Sequence, residues 1–188
     1  SMAGSDNATN VSGIIGDALS FDGADDLVDI PDSGSLSFGD GTNDFPFTIS
    51  AWVKPDATQQ AAFVTKGTGD DDFEWYFETE TSSDLLIRME DTSGDFEGNA
   101  RLTTESLAND VWQHIAVTYD GRGGATVFNG VLFYIDGVQY IPDTISNPAG
   151  YVAMENGAHS VKIGARPNGL HFDGSIDEVA IYNRSLSS

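Results

Sequence analysis

The sequence predicts an all-β protein, a sandwich of two packed sheets, on three observations. Apolar residues recur with period two in short runs, the signature of strands with one buried face. Gly, Asp, Asn and Pro, the residues that break strands and make turns, separate the runs. No window carries an apolar stripe at the helical period. At 188 residues, with 39% hydrophobic and 11% aromatic residues spread along its length, the chain suffices for one sizeable core and shows no dividing linker. A single domain over residues 16–188 is expected. Before it, residues 1–15 are small and polar and read as a flexible leader, with Ser1-Met2-Ala3 an expression remnant.

The β-like runs are 18–21, 27–30, 47–54, 62–66, 73–79, 84–90, 101–104, 112–119, 131–135, 161–165 and 175–182. In 73–80, Phe73, Trp75 and Phe77 alternate with Glu74, Tyr76, Glu78 and Glu80; in 85–90, Leu85, Ile87 and Met89 alternate with Leu86, Arg88 and Glu90. Each run therefore presents one face to the core and one to water. A turn at Thr81-Ser82-Ser83 joins them as a hairpin and sets Arg88 on the face of Tyr76 and the glutamates. Asp136-Gly137, between Ile135 and Val138, predicts a two-residue hairpin turn. Residues 106–110 form at most a single helical turn, and 142–150 a long connection. Trp52 and Trp112, flanked by apolar neighbours, are expected in the core. The first run, with Phe21-Asp22-Gly23, and the last, with Phe172-Asp173-Gly174, share a turn pattern, and pairing them closes the chain on itself.

Thirty acidic against eight basic residues give a net charge of −22 and a pI near 4.1. Such a field repels nucleic acid and anionic membranes and favours cations or neutral ligands. No apolar run reaches the roughly 20 residues of a membrane-spanning helix, so no membrane insertion is expected. Without cysteine there is neither a disulfide framework nor a thiolate metal site. His114, His159 and His171 share no metal-ligand spacing, and His114 is expected to satisfy backbone groups.

Two stretches carry a resemblance. One is Val111-Trp112-Gln113-His114-Ile115-Ala116-Val117-Thr118-Tyr119-Asp120-Gly121, followed after a Gly-rich insertion by Leu132-Phe133-Tyr134-Ile135-Asp136-Gly137. The other is the terminal pair, with Ile30-Pro31 at one end and Gly174-Ser175-Ile176-Asp177-Glu178-Val179 at the other. Together with Phe47-Thr48-Ile49-Ser50-Ala51-Trp52-Val53-Lys54-Pro55, they resemble the laminin G-like branch of the concanavalin A-like lectin/glucanase superfamily. The resemblance implies a jelly-roll sandwich of two curved antiparallel sheets. It also implies calcium where the first and last strands meet, at Asp22 and Asp177, with Asp25 as a third ligand; Asp-Gly turns expose the carboxylate and carbonyl oxygens this ion takes. The run Asp70-Asp71-Asp72 reads as a solvated loop.

Glycosidases of the superfamily line carboxylates along one strand, and Glu74, Tyr76, Glu78 and Glu80 resemble that run, but Tyr76 stands where the pattern needs an Asp. Catalysis is therefore not expected. Sugar recognition asks for an exposed aromatic against a ring face and for carboxylates or arginine on hydroxyl pairs. Tyr76, Glu78 and Arg88 supply these on one face, with Arg166 and His171 at its rim. The expected function is a non-catalytic, extracellular or cell-surface module, part of a larger secreted protein, that binds a glycan or cell-surface polysaccharide or serves adhesion. A structural or protein-binding spacer between neighbouring domains is the alternative, and a glycoside hydrolase ranks behind both.

Overall fold

Period-two alternation builds nearly the whole chain. The computed structural model describes residues 8–69 and 72–187. In chain order the strands are β1 (Thr9–Ser12), β2 (Asp17–Asp22), β3 (Val28–Ile30), β4 (Phe47–Pro55), β5 (Ala61–Gly67), β6 (Phe73–Thr79), β7 (Asp84–Asp91) and β8 (Phe96–Ser106). They continue as β9 (Gln113–Tyr119), β10 (Val131–Ile135), β11 (Val138–Tyr140), β12 (Thr144–Ser146), β13 (Val161–Ile163), β14 (Ala165–Arg166), β15 (Leu170–His171) and β16 (Asp173–Tyr182). The first sheet runs β1-β2-β16-β4-β9-β10-β11 and the second β12-β8-β7-β6-β5-β13-β3, with β14-β15 a small separate ribbon. The strand pairs are antiparallel. The result is a jelly-roll sandwich.

The core lies between the sheets. Phe47, Ile49, Ala51 and Val53 of β4 and Ile115, Val117 and Tyr119 of β9 face Trp75 and Phe77 of β6 and Leu85, Ile87 and Met89 of β7, all buried. Burying an aliphatic or aromatic side chain of this size contributes roughly 1.5–3 kcal/mol. The aromatic centre is continuous: Phe38 stacks on Phe47 at 4.6 Å, and Phe47 meets Tyr119 at 5.5 Å. Trp75 is the fully buried tryptophan, and its indole N–H donates to the Leu36 carbonyl at 3.2 Å.

The expected pairing of the first and last β-like runs holds between β2 and β16, Asp22 opposite Asp173 and Phe21 opposite Gly174. Three expectations change, the first being the long connection at 142–150, which carries β12. Residues 9–12 of the expected leader form β1, paired to β2 from Thr9↔Ser20 to Ser12↔Asp17. Trp52 and Trp112 are only partly buried. Trp52 belongs with Thr48, Ser50 and Lys54 on the outer side of β4, because neighbours one residue away along a strand point to the opposite face. His114 lies on that same outer side, with its ring against Trp52 at 5.4 Å and its backbone N–H donating to Asp136 Oδ1. Asp70 and Asp71 lie outside the described residues.

Candidate functional site

The acidic turn after β2 comes first. Asp22 Oδ1 accepts from the backbone N–H of Ala24 at 2.9 Å and of Asp25 at 3.4 Å, while Asp26 Oδ2 accepts from the Asp22 N–H at 3.0 Å. Gly23, at φ +73°, makes the turn, since that backbone region suits glycine. One carboxylate oxygen from each of Asp22, Asp25 and Asp26 lies within 4.8 Å of the others. Oxygens on opposite sides of a calcium ion stand up to about 5 Å apart, given ligand distances of 2.3–2.6 Å, so this all-oxygen set has the spacing a hard divalent cation takes. The Ala24 amide holds the Asp22 carboxyl below its ordinary range, and Asp173 opposite is pushed up by burial and by the Asp56 and Asp22 charges.

Asp177 is not part of this cluster. It pairs with Trp52, four residues along β16 from Asp173, and its Oδ2 accepts from the backbone N–H of Ile14 at 2.8 Å and of Ile15 at 3.2 Å. The carboxylate is spent holding the β1–β2 turn. Asp26, buried beside Asp22, is the neighbour that sequence reasoning passed over.

The second expected site is brought together and then sealed. Tyr76, Glu78 and Arg88 do share the outer face of β6 and β7, with Tyr76 opposite Arg88. Tyr76 and Glu78 are nevertheless wholly buried. The Tyr76 ring stacks on Phe73 at 4.2 Å, carries the Arg166 guanidinium 4.9 Å from its centroid, and donates its hydroxyl to the Gly69 carbonyl. Glu78 takes Arg88 Nε at 2.6 Å and Arg166 Nη1 at 3.3 Å. The hairpin β14–β15 lies over β5, where Thr65 donates its hydroxyl to the Ala165 carbonyl at 2.8 Å. Tyr76 therefore has no open ring face and Glu78 no exposed oxygen. His171 sits partly buried on β15, with its Nδ1 enclosed and unbonded. Arg88 also reaches Glu80 at 3.0 Å and Glu97 at 2.6 Å.

The outer side of the first sheet holds another candidate surface, on which Ser50, His114 and Tyr182 are accessible while Thr48, Ala116, Thr118 and Tyr134 are buried. Register places Tyr182, Thr48 and Thr118 in one row across β16, β4 and β9, and Ala180, Ser50, Ala116 and Tyr134 in the next. Trp52 and His114 follow in a third row. Small residues along the middle of β4 and β9, with larger rings around them, leave a depression of about 320 Å³ lined by Thr48, Ser50, His114, Ala116, Thr118, Tyr134, Gly137, Tyr182, Leu186 and Ser187. That size lies within the range of small-ligand pockets. Residues 184–186 fold back onto one edge: the Thr48 hydroxyl donates to the Arg184 carbonyl and accepts from the Leu186 N–H, each at 2.9 Å. Burial holds His114 below its ordinary pKa despite Asp136 nearby. The strand alternation carried the signal for this face, since Thr48, Ser50 and Trp52 fall on the side away from Phe47, Ile49 and Ala51.

A family model for the Concanavalin A-like lectin/glucanases superfamily matches residues 22–188. The Adhesion G-protein coupled receptor V1 of Danio rerio is 26% identical over 146 residues, 75% of this chain but only 2% of the receptor's length. Among solved structures, domain 4 of AbnA, a GH43 extracellular arabinanase from Geobacillus stearothermophilus, in complex with arabinotriose, superposes with TM-score 0.68 at 21% identity, covering 97% of this chain and 78% of that one. The botulinum neurotoxin serotype G binding domain gives 0.67 at 14% identity, covering 98% of this chain and 43% of that one. The CBM40 of the Ruminococcus gnavus IT-sialidase, bound to α2,3-sialyllactose, gives 0.55 at 14% identity, with 78% and 80% covered. At these identities the superpositions establish the fold.

Proposed function

The chain belongs to the Concanavalin A-like lectin/glucanases superfamily, and from that premise we propose that it is a non-catalytic module that binds carbohydrate on the outer face of its first sheet. The observation that carries this reading is the depression floored by Ser50 and Ala116 and bordered by Tyr134, Tyr182 and His114, with Trp52 against the histidine. A sugar ring has an apolar face that lies against an aromatic side chain and a rim of hydroxyls that seek small polar groups, and the two kinds of residue alternate here. Two neighbours in fold, the arabinanase domain and the CBM40, were solved with saccharides bound, which supports the class of ligand. The lining contains no carboxylate, and Glu78 is closed by two guanidinium groups, so no pair of open acids at the spacing of about 5–9.5 Å used in glycoside hydrolysis is met there.

In this reading Asp22, Asp25 and Asp26 hold a structural calcium at the β2 turn, and the module works outside the cell as one part of a longer protein. The receptor match, of which this chain spans a small fraction, favours a second reading as an adhesion or spacer domain that binds protein. A glycan array followed by calorimetry separates the two. The carbohydrate reading expects saccharide binding that Trp52→Ala and Tyr182→Ala weaken while the domain stays folded. Binding that survives both substitutions places the site elsewhere, and an array without a single ligand leaves the adhesion reading standing.

A further inference from the structure

We propose that the depression on the first sheet selects uncharged sugars, so that the module takes neutral glycans and passes over sialylated, uronic-acid and sulfated ones. This rests on the carbohydrate reading above and adds the chemical class of its ligand. An anionic sugar is normally held by a guanidinium or ammonium group that pairs with its carboxylate or sulfate. The depression presents hydroxyls, aromatic rings, aliphatic surface and one imidazole, and none of its lining residues is lysine or arginine. His114, its one basic group, faces the Trp52 ring and is held toward its neutral form by burial, with Asp136 the acid at its backbone.

The cations elsewhere are already committed. Lys66, Arg88, Arg101, Arg122, Lys162 and Arg166 each contact a carboxylate within 3.3 Å. Of the other two of the eight, Lys54 lies beyond Trp52, and Arg184 stands at the edge of the depression with its carbonyl on the Thr48 hydroxyl; neither is among the lining residues. An arriving anion also meets the field of a −22 chain, felt over roughly 8 Å at physiological ionic strength. The polar groups left are few: the Tyr134 hydroxyl pairs with Gln139, and the Thr48 hydroxyl is taken by residues 184–186. Ring stacking supplemented by Ser50 and His114 suits a neutral saccharide with an apolar face.

The test uses matched pairs on the whole chain: lactose against sialyllactose, and neutral xylo-, arabino- and gluco-oligosaccharides against counterparts carrying uronic acid or sulfate. Calorimetry is expected to show at least one neutral ligand whose anionic counterpart binds roughly tenfold more weakly or worse. Its affinity should hold between about 50 and 500 mM salt and fall in Tyr182→Ala, an exposed position that leaves the fold intact. Preference for the anionic member, weakening with salt and lost in Lys54→Gln or Arg184→Gln, overturns neutral selection while the carbohydrate reading stands. A neutral ligand indifferent to Tyr182→Ala and Tyr134→Ala overturns the assignment to this depression. Failure of every saccharide, neutral and charged, overturns the carbohydrate reading itself and this inference with it.

Discussion

Glu78 is held by more opposite charge than any other buried acid described here, with Arg88 on one side and Arg166 on the other. Burial pushes its carboxyl up, and the two guanidinium groups oppose that shift. Truncation takes a buried carboxylate from Arg166, while the partly exposed Arg88 keeps Glu80 and Glu97, so Glu78→Ala should cost about 3 kcal/mol, the lower end for a broken buried pair, in chemical denaturation. A loss under about 1 kcal/mol, the value of an exposed pair, would show this face to be open after all. Glu74 behaves differently. It shares Lys66 with Asp32, yet one of its oxygens is buried without a partner, and burial pushes its pKa from 4.5 to about 7. The folded carboxyl thus holds its proton more tightly than the unfolded one. Its contribution to stability is complete below about pH 4.5 and is lost as pH rises through about 7. Glu90, also raised to about 7, acts in the same direction. Denaturation at a series of pH values should show stability falling across that window, and Glu74→Gln should flatten part of the fall. An unchanged slope in the variant removes Glu74 as its source.

Among the elements, β4 shows how one strand serves two purposes. Its inward residues Phe47, Ile49, Ala51 and Val53 are completely buried, while Thr48, Ser50 and Trp52 form the floor and edge of the open depression. Replacing Trp75, the core tryptophan of β6, by Ala should therefore cost about 3–5 kcal/mol, and Trp52→Ala distinctly less. Equal losses would mean that Trp52 is a packing residue and no platform. The hairpin of β1 and β2 depends on β16 through one carboxylate, since Asp177 accepts from two consecutive backbone amides at the turn. In Asp177→Ala these two bonds are lost, and water can replace the acceptor at the exposed Ile14 and Ile15, a loss of about 0.5–1.5 kcal/mol. Amide exchange at residues 9–12 should accelerate while β4 and β9 stay protected. Uniform acceleration over all strands would instead mean that β1 opens only with the whole domain.

For the molecule as a whole, the controlling quantity is its charge of −22. Self-repulsion of that size is relieved by salt and, more locally, by a divalent cation at the β2 turn. Calcium binding only the folded state adds about 2.7 kcal/mol when present at about 100 times its dissociation constant. Thermal unfolding should accordingly shift upward in calcium and return on chelation. Asp26→Asn should abolish the shift and Asp177→Ala should preserve it, which separates the observed cluster from the pair suggested by the chain ends. A shift that survives Asp26→Asn but vanishes in Asp177→Ala would reverse the assignment. Melting indifferent to calcium in the unmodified chain would leave the three carboxylates as turn caps.

The short strands β1, β12 and β15 lie outside the alternating runs. Which residues alternate can otherwise be read along the chain, and with it the inward faces and the longer strands, while the Phe-Asp-Gly turns shared by the two ends point to the pairing of β2 with β16. Each is a local or period-two property: Phe47-Thr48-Ile49-Ser50 states its two faces regardless of what surrounds it. Trp52 belongs with Thr48 and Ser50 on the same ground, because its apolar neighbours are one residue away and so point to the other side of the sheet. The tertiary structure decided which outward faces stay open. Alternation places Tyr76, Glu78 and Arg88 together on a face that reads as wet, but Arg166 reaches Glu78 from 88 residues further along the chain. Likewise Asp177 is drawn off to a turn 162–163 residues away, leaving Asp26 with Asp22. Periodicity sets the side of a sheet on which a side chain stands. What packs against that side comes from segments distant in sequence, and only the folded chain brings them there.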